Sequence, residues 1–430
     1  MAVSTYSANG YSTEKLSKTA SIAWLVAAVF YFYQYVERAS PSVMMPQLSD
    51  ALGKSTLDVA SLVAFFYYGY STFSLAAGAS MDRLGPRHIL PLAAVAAGCG
   101  ALLFATGSSG AATFGRFLQG AAGGFAPVGA IYIVTTRFPP SMAATLIGAT
   151  QMFGMAGGAA GQFLVGPLIA SGVSYKTFWL QMGIAGFCIG ALLLVLLPSE
   201  PRKKEKRAEL SETLSGFGVV FRNPQSIYCG VIAGLLFIPT TIFTMIWGVR
   251  YLQEAHGFDY ATAVLRSASI PVGWIIGCPL LGYISDRIGR RKPVIVAGGF
   301  ALFSCLCWIL FAPPGILPPY TVGLLAGIAS GSAMIPYIVI KEANPPHLGG
   351  TATGVISFVN FSLSALLAPG FTWMLRYASS RANAMELPHY QTAFIPMLLG
   401  VAAAVGLTFL LKETGKRAPT AVVLPFKKAA

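Results

Sequence analysis

Residues 78–90 read GASMDRLGPRHIL and residues 282–294 read GYISDRIGRRKPV, one G-x-x-x-D-R-x-G-x-R frame written twice, 204 residues apart. Each copy separates two apolar runs, so each occupies a short loop after the second helix of a set. The residue types fit such a loop. Gly78 and Gly282 permit close helix contact, and Gly85 and Gly289 allow a tight turn. Asp82 and Asp286 can sit near a neighbouring helix N-terminus and pair with Arg83, Arg87, Arg287 and Arg291. A second echo, RFPPSMAATLIG at 137–148 and EANPPHLGGTATG at 342–354, recurs at an offset of 206. Two halves of like orientation are the parallel-repeat signature of a large class of transporters.

Outward from these loops the chain is mostly membrane. Of its 430 residues 55% are hydrophobic and only 10% charged, with a mean hydropathy of +0.66, which excludes an ordinary soluble enzyme. Apolar runs fall near 20–47, 57–81, 88–108, 111–137, 142–170 and 177–198, then near 226–252, 261–285, 293–312, 320–341, 350–376 and 391–411. The pattern predicts an all-α membrane protein, twelve transmembrane helices in two pseudo-symmetric six-helix bundles at 1–198 and 226–412. Residues 199–225 form a charged linker and 413–430 a tail. The first run lacks a small-residue cleavage site, so a retained helix is expected.

The Lys/Arg bias of the loops sets orientation. Placing the N-terminus in the cytoplasm puts Arg83, Arg87, Arg137, the 202–207 cluster, Arg222, Arg287 to Lys292, Lys341 and the tail from Lys412 on that side, with both termini inside. The net charge of +14 is thus a topology signal, and no nucleic-acid partner is expected. The expected partners are membrane lipid and a small-molecule solute, with the protein itself monomeric. The four histidines lie in or beside loops and the six cysteines lie in apolar runs, so neither a metal site nor a disulfide framework is drawn. No nucleotide-binding or hydrolase motif appears, so no cofactor and no enzyme activity are expected.

The doubled loop motif resembles that of the major facilitator superfamily, over nearly all of the chain, and RFLQGAAGG at 116–124 is similar to the superfamily's fourth-helix motif. The resemblance implies alternating access around a midplane cavity built mainly from helices one, four, seven and ten. It implies that the loop charges latch the two halves in one access state, and it links Arg116 to proton coupling or substrate binding. GMAGGAAGQFLVGPLIASG at 154–172 departs from the superfamily's antiporter spacing. Residues 30–48 and 341–354 are similar to bacterial Pht-type permeases and to MamH-type permeases of the magnetosome membrane. The second likeness implies iron supply for magnetite formation.

Ionisable groups inside hydrocarbon are costly and face a cavity or a partner. Glu37 and Arg38 lie past the middle of the first span, and Tyr31, Gln34, Arg38 and Pro41 are expected to share a face turned to the central cavity. Glu37 and Arg38 point about 100° apart, so each needs another partner. Arg116 and Gln119 share a face of the fourth span, and Arg266 lies a turn inside the eighth. Further cavity candidates are Gln151, Thr244, Trp247, Tyr337 and Asn360. Pro239, Pro271, Pro279 and Pro336 are expected to interrupt helices. Three arginines against one carboxylate favour an anionic or chelated solute, with Glu37 the proton-coupling candidate.

The leading expectation is a secondary transporter of a bacterial inner membrane. Iron transport in a magnetosome membrane, on iron or an iron chelate, is the alternative within that class. A non-transporting scaffold or receptor is the alternative outside it.

Overall fold

Residues 18–138, 140–198, 210–345, 348–379 and 385–415 are described in a computed structural model, the side chains of 82, 83, 140–145 and 210–214 excepted. Among them are twelve helices long and apolar enough to cross a membrane. Spans 1 to 6 are Lys18–Val43, Thr56–Met81, Pro86–Ala105, Ser109–Arg137, Leu146–Ala170 and Tyr175–Leu196. Spans 7 to 12 are Pro224–His256, Tyr260–Ile288, Lys292–Phe311, Thr321–Glu342, Gly349–Ala378 and Leu387–Thr408. A further helix, Leu210–Arg222, precedes span 7. The protein is an all-α, multi-pass membrane protein.

Local chemistry fixes where the spans begin. Ser55, Ser174 and Asp259 each accept a hydrogen bond from a main-chain N–H of the first turn of spans 2, 6 and 8. Pro86 and Pro224 start spans 3 and 7, where a missing N–H costs nothing. Gly85 and Gly289, in the repeated loops, take φ of +73° and +70°, values a side chain would strain. Of the four prolines expected to break helices, Pro271 and Pro279 do not: span 8 runs unbroken through both. Pro239 instead opens a wide π-helical stretch, Pro239–Trp247, and Pro336 follows a short 3-10 turn, Gly331–Met334.

Small residues let the spans approach closely. A Cβ on Gly157 of span 5 would lie 2.1 Å from the Phe32 carbonyl oxygen of span 1, which accounts for the small-residue run there. A Cβ on Gly120 of span 4 would lie 1.8 Å from the Phe66 carbonyl oxygen of span 2. Backbone cannot yield as a side chain can, so Gly120→Val is expected to prevent assembly of the first bundle. The check is recovery of monodisperse protein on size exclusion, with at least a tenfold drop against wild type expected.

The two bundles meet along spans 2 and 11 and along spans 5 and 8. On the face away from the linker they are tied by polar contacts. Tyr260 Oη donates to the Val43 carbonyl (2.6 Å), Gln162 Nε2 to the Thr244 carbonyl (2.7 Å), and Arg376 pairs with Asp58 (2.6 Å). Deeper in, Tyr67 Oη donates to the Thr241 carbonyl (2.7 Å) and the Ser71 and Ser362 hydroxyls meet at 2.6 Å. Thr241 and Thr244 both lie in the π-helical stretch, and their main-chain carbonyls accept from the other bundle.

Candidate functional site: a cavity between the bundles

A cavity of about 750 Å³ lies between the bundles and reaches the linker face. Its inner end is lined by Tyr31, Tyr35, Tyr70, Phe237, Asn360 and Phe361, and its rim by Asp286, Arg291 and Lys341. Cys278 of span 8 also lines it. The face away from the linker is sealed by the contacts above, so the molecule is open to one side only.

Arg38 sits immediately behind the inner end. It is 2% exposed, its Nε, Nη1 and Nη2 make no close hydrogen bond and no carboxylate pairs with it among the described residues, the polar groups around its charge being the hydroxyls of Tyr67, Tyr35 and Tyr70. The guanidinium lies 5.0–5.7 Å from the ring centroids of Tyr35, Phe66, Tyr67, Phe237 and Phe361. Three of those rings, Tyr35, Phe237 and Phe361, also line the cavity. One aromatic layer therefore separates a buried cation from the space a solute would enter. Each such ring offers about 0.5–2 kcal/mol, so the five together offset much of the several kcal/mol of desolvating the ion but supply no counter-charge.

Glu37 is wholly buried on another side of the same helix. Its carboxyl accepts from Tyr33 Oη (2.9 Å) and Gln34 Nε2 (3.2 Å). Arg116 reaches the Glu37 main-chain carbonyl (2.9 Å) and Gln119 Oε1 (2.6 Å), so spans 1 and 4 share one polar network. Arg38 takes no part in it. Glu37 and Arg38 thus do not pair with each other, and of the two only Glu37 finds the polar partners expected, Arg38 being held among aromatic rings.

Other expectations are corrected. Gln34 does not share the cavity-lining face of Tyr31; it turns to Glu37 and to Gly123 of span 4, and Tyr35 takes its place. Gln34 is three residues on from Tyr31, which on a 100° step leaves it about 60° round the helix. Trp247 packs inside the second bundle on Phe371 and Tyr390, and Thr244 belongs to the seal rather than the cavity. Arg266 lies outside the central cavity, stacked on Phe258 in a separate pocket. Gln151, Tyr337 and Asn360 do line the cavity, and Asn360 Nδ2 donates to Tyr337 Oη (3.1 Å) while its Oδ1 stays unpaired.

At the repeated loops, Arg291 bridges Asp286 (2.6 Å) and Glu342 (2.8 Å), joining spans 8 and 10 of one bundle rather than the two halves. Burial works against the Arg291 charge, but its hydrogen bonds to Glu342 and Asp286 outweigh that and hold its pKa above the ordinary value. Glu413 accepts from the Arg291 and Lys292 main-chain N–H groups, pinning the segment after span 12 to this loop. Arg287 donates to Tyr283 Oη (3.3 Å), and Gly282 has open space beside it among the described residues. In the first copy, Arg87 donates to the Leu197 carbonyl at the end of span 6, again within one bundle. The inter-bundle approach there is Gly78, whose Cβ would come 3.5 Å from the Gly350 carbonyl. The side chains of Asp82 and Arg83 lie outside the described residues.

The sequence signature of the Major Facilitator Superfamily matches residues 24–369. The probable sulfoacetate transporter SauU of Cupriavidus necator is 24% identical over 91% of this chain and 94% of its own length. The hexuronate transporter of Bacillus subtilis is 26% identical over 63% of this chain and 66% of its own length, just under two thirds. The membrane sensor protein UhpC of Salmonella typhimurium is 22% identical over 92% and 91%. Among solved structures, the proton:xylose symporter XylE superposes with a TM-score of 0.71 at 17% identity, over 94% of this chain and 98% of that one. A bacterial homologue of the human lysosomal transporter Spinster, in an inward-facing and unoccupied conformation, gives 0.70 at 15%, over 92% and 97%. The chain belongs to the major facilitator superfamily.

Proposed function

We propose that this protein is a secondary transporter of a small organic anion, working by alternating access, with Arg38 as the group that binds the anion and Glu37 as the group that carries the coupling proton. The observation that carries the reading is Arg38, a buried guanidinium with no carboxylate partner among the described residues, one aromatic layer from the cavity. A carboxylate entering past Tyr35, Phe237 and Phe361 would supply the missing charge and match the planar fork bidentately. The volume of about 750 Å³ suits a solute of sugar-acid size. The relatives named for hexuronate and sulfoacetate handle organic anions by name, which supports the same class. We place the linker face, with its basic loops, in the cytoplasm of a bacterial inner membrane.

The test is uptake into proteoliposomes of labelled glucuronate, sulfoacetate, a neutral hexose, ferric citrate and free Fe²⁺, with and without a pH gradient. Saturable uptake of an organic anion, raised by an inward proton gradient, is the expected result. Equal uptake of the neutral hexose would overturn the anion reading, and uptake of free Fe²⁺ would favour the magnetosome alternative. A sensor role, the second reading, is favoured by the likeness to UhpC. It predicts saturable anion binding to purified protein with no accumulation under any gradient.

Lys341 lines the cavity rim and makes no ion pair among the described residues, whereas Arg291 beside it is held by two carboxylates. It is the rim cation free to meet an anion arriving from the linker face. Lys341→Gln is expected to raise the half-saturation concentration from that face about two- to fivefold, as an exposed charge contact of ~0.5–1 kcal/mol implies. The wild-type value should rise with ionic strength more steeply than the variant's, which counterflow in oriented vesicles at two salt concentrations measures.

A further inference from the structure

A second pocket, of about 100 Å³, opens within the second bundle on the face away from the linker. It is formed by the ends of spans 7 and 8, the end of span 9 and the loop from Ala312 to Tyr320. Arg266 enters it from span 8. The guanidinium stacks at 4.2 Å on Phe258, and neither a hydrogen bond nor an ion pair engages it among the described residues. Among the described residues no Asp or Glu lines the pocket, while His256, Ser267 and Ser269 add polar groups and Trp308, Ile270 and Leu317 add apolar wall. The loop that roofs it is stiffened by Pro313, Pro314 and Pro318, and Tyr320 holds a φ of +73°, alone among non-glycine residues described. Backbone held in that region by its surroundings is often found at ligand clamps.

We propose that this pocket is a binding site for a small carboxylate, held by Arg266 and distinct from the transport cavity. A guanidinium already stacked on a ring keeps its in-plane N–H groups free for a planar acceptor, and the apolar wall favours a carboxylate with a short carbon tail over an inorganic anion. A space of about 100 Å³ suits a ligand of a few heavy atoms. The site matters because Ser267 lines it and also reaches the Thr244 carbonyl (3.5 Å), the acceptor that Gln162 of the other bundle uses. Its occupant would thus sit beside the seal between the bundles, on the face from which the central cavity is closed. The proposal does not depend on the transport reading, since binding is measured without a gradient.

Trp308 in the pocket wall provides the probe. Full-length protein in nanodiscs is titrated with sodium acetate and sodium pyruvate at constant ionic strength, and with sodium chloride, following tryptophan emission. Expected is a saturable change for at least one carboxylate, not for chloride, that vanishes in Trp308→Phe. Arg266→Gln should shift its midpoint at least tenfold. Ala312→Phe, which fills the pocket from the loop and leaves Arg266 in place, should abolish the response, whereas Arg38→Gln should leave it unchanged. A response lost in Arg38→Gln, or retained in both Arg266→Gln and Ala312→Phe, would overturn the proposal. So would an equal response to chloride, or none to either carboxylate.

Discussion

Arg38→Gln is expected to lower kcat/KM for anion uptake a hundredfold to several thousandfold while leaving the thermal stability of the purified protein unchanged or raised. Removing one member of a buried, hydrogen-bonded charge pair costs about 3–5 kcal/mol, and each ~1.4 kcal/mol is a decade in rate. In the solute-free state the arithmetic differs. Arg38 faces aromatic rings and tyrosine hydroxyls but no carboxylate among the described residues, so deleting its charge removes a desolvation penalty along with the ring contacts. A structural arginine would behave in the opposite way, with stability and uptake falling together. Arg38→Lys should recover part of the activity, since an ammonium keeps the charge but not the bidentate fork. Uptake assays paired with thermal unfolding of each variant separate the two roles; a fall in unfolding temperature matching the loss of uptake would reject the anion-binding role.

The architecture was legible because membrane spans are long runs and a duplicated motif is hard to mimic by chance. All twelve spans match the expected runs to within a few residues. Glu37, Arg38 and Arg116 stood out because a charge inside an apolar run is conspicuous. A charge or ring in an apolar run shows its depth along the helix but not its direction around it, which is why Gln34 turns off the cavity face and Trp247 and Arg266 lie outside the central cavity. The rings that screen Arg38 carried no signal: Tyr35, Phe237 and Phe361 are ordinary membrane residues until the packing of spans 1, 7 and 11 brings them together. Lys341 read as a topology charge, and the loop arginines read as an inter-bundle latch. Arg291 instead closes on Asp286 and Glu342, because span 10 ends beside span 8 within one bundle. Tyr33 passed unnoticed for the same reason, since its role comes from span 6.

Glu37→Gln is expected to abolish accumulation against a gradient while sparing exchange of labelled for unlabelled solute at equal concentrations. The geometry around Tyr33 explains how a proton on Glu37 would be felt. The Tyr33 hydroxyl lies 2.9 Å from the Glu37 carboxyl and 2.8 Å from the Met182 carbonyl of span 6, and it has one proton to give. Facing a charged Glu37 it donates to the carboxylate and leaves the Met182 carbonyl without that bond. Facing a protonated Glu37 it can accept from the carboxyl and donate to Met182, so loading a proton strengthens a tie between spans 1 and 6. Glutamine at 37 can mimic only the neutral case. Its amide also fits the site, because Gln34 can rotate to offer the Oε1 that now lacks a partner, so the fold should survive the change. Exchange needs only the reorientation of loaded carrier and should persist, independent of pH, in the variant. Concentrative uptake needs the proton to leave and the empty carrier to return, and should fall to the equilibrium level. Accumulation by Glu37→Gln under a proton gradient, at a wild-type ratio, would remove Glu37 from the coupling role and leave the network with Arg116 and Gln119 as a structural tie between spans 1 and 4.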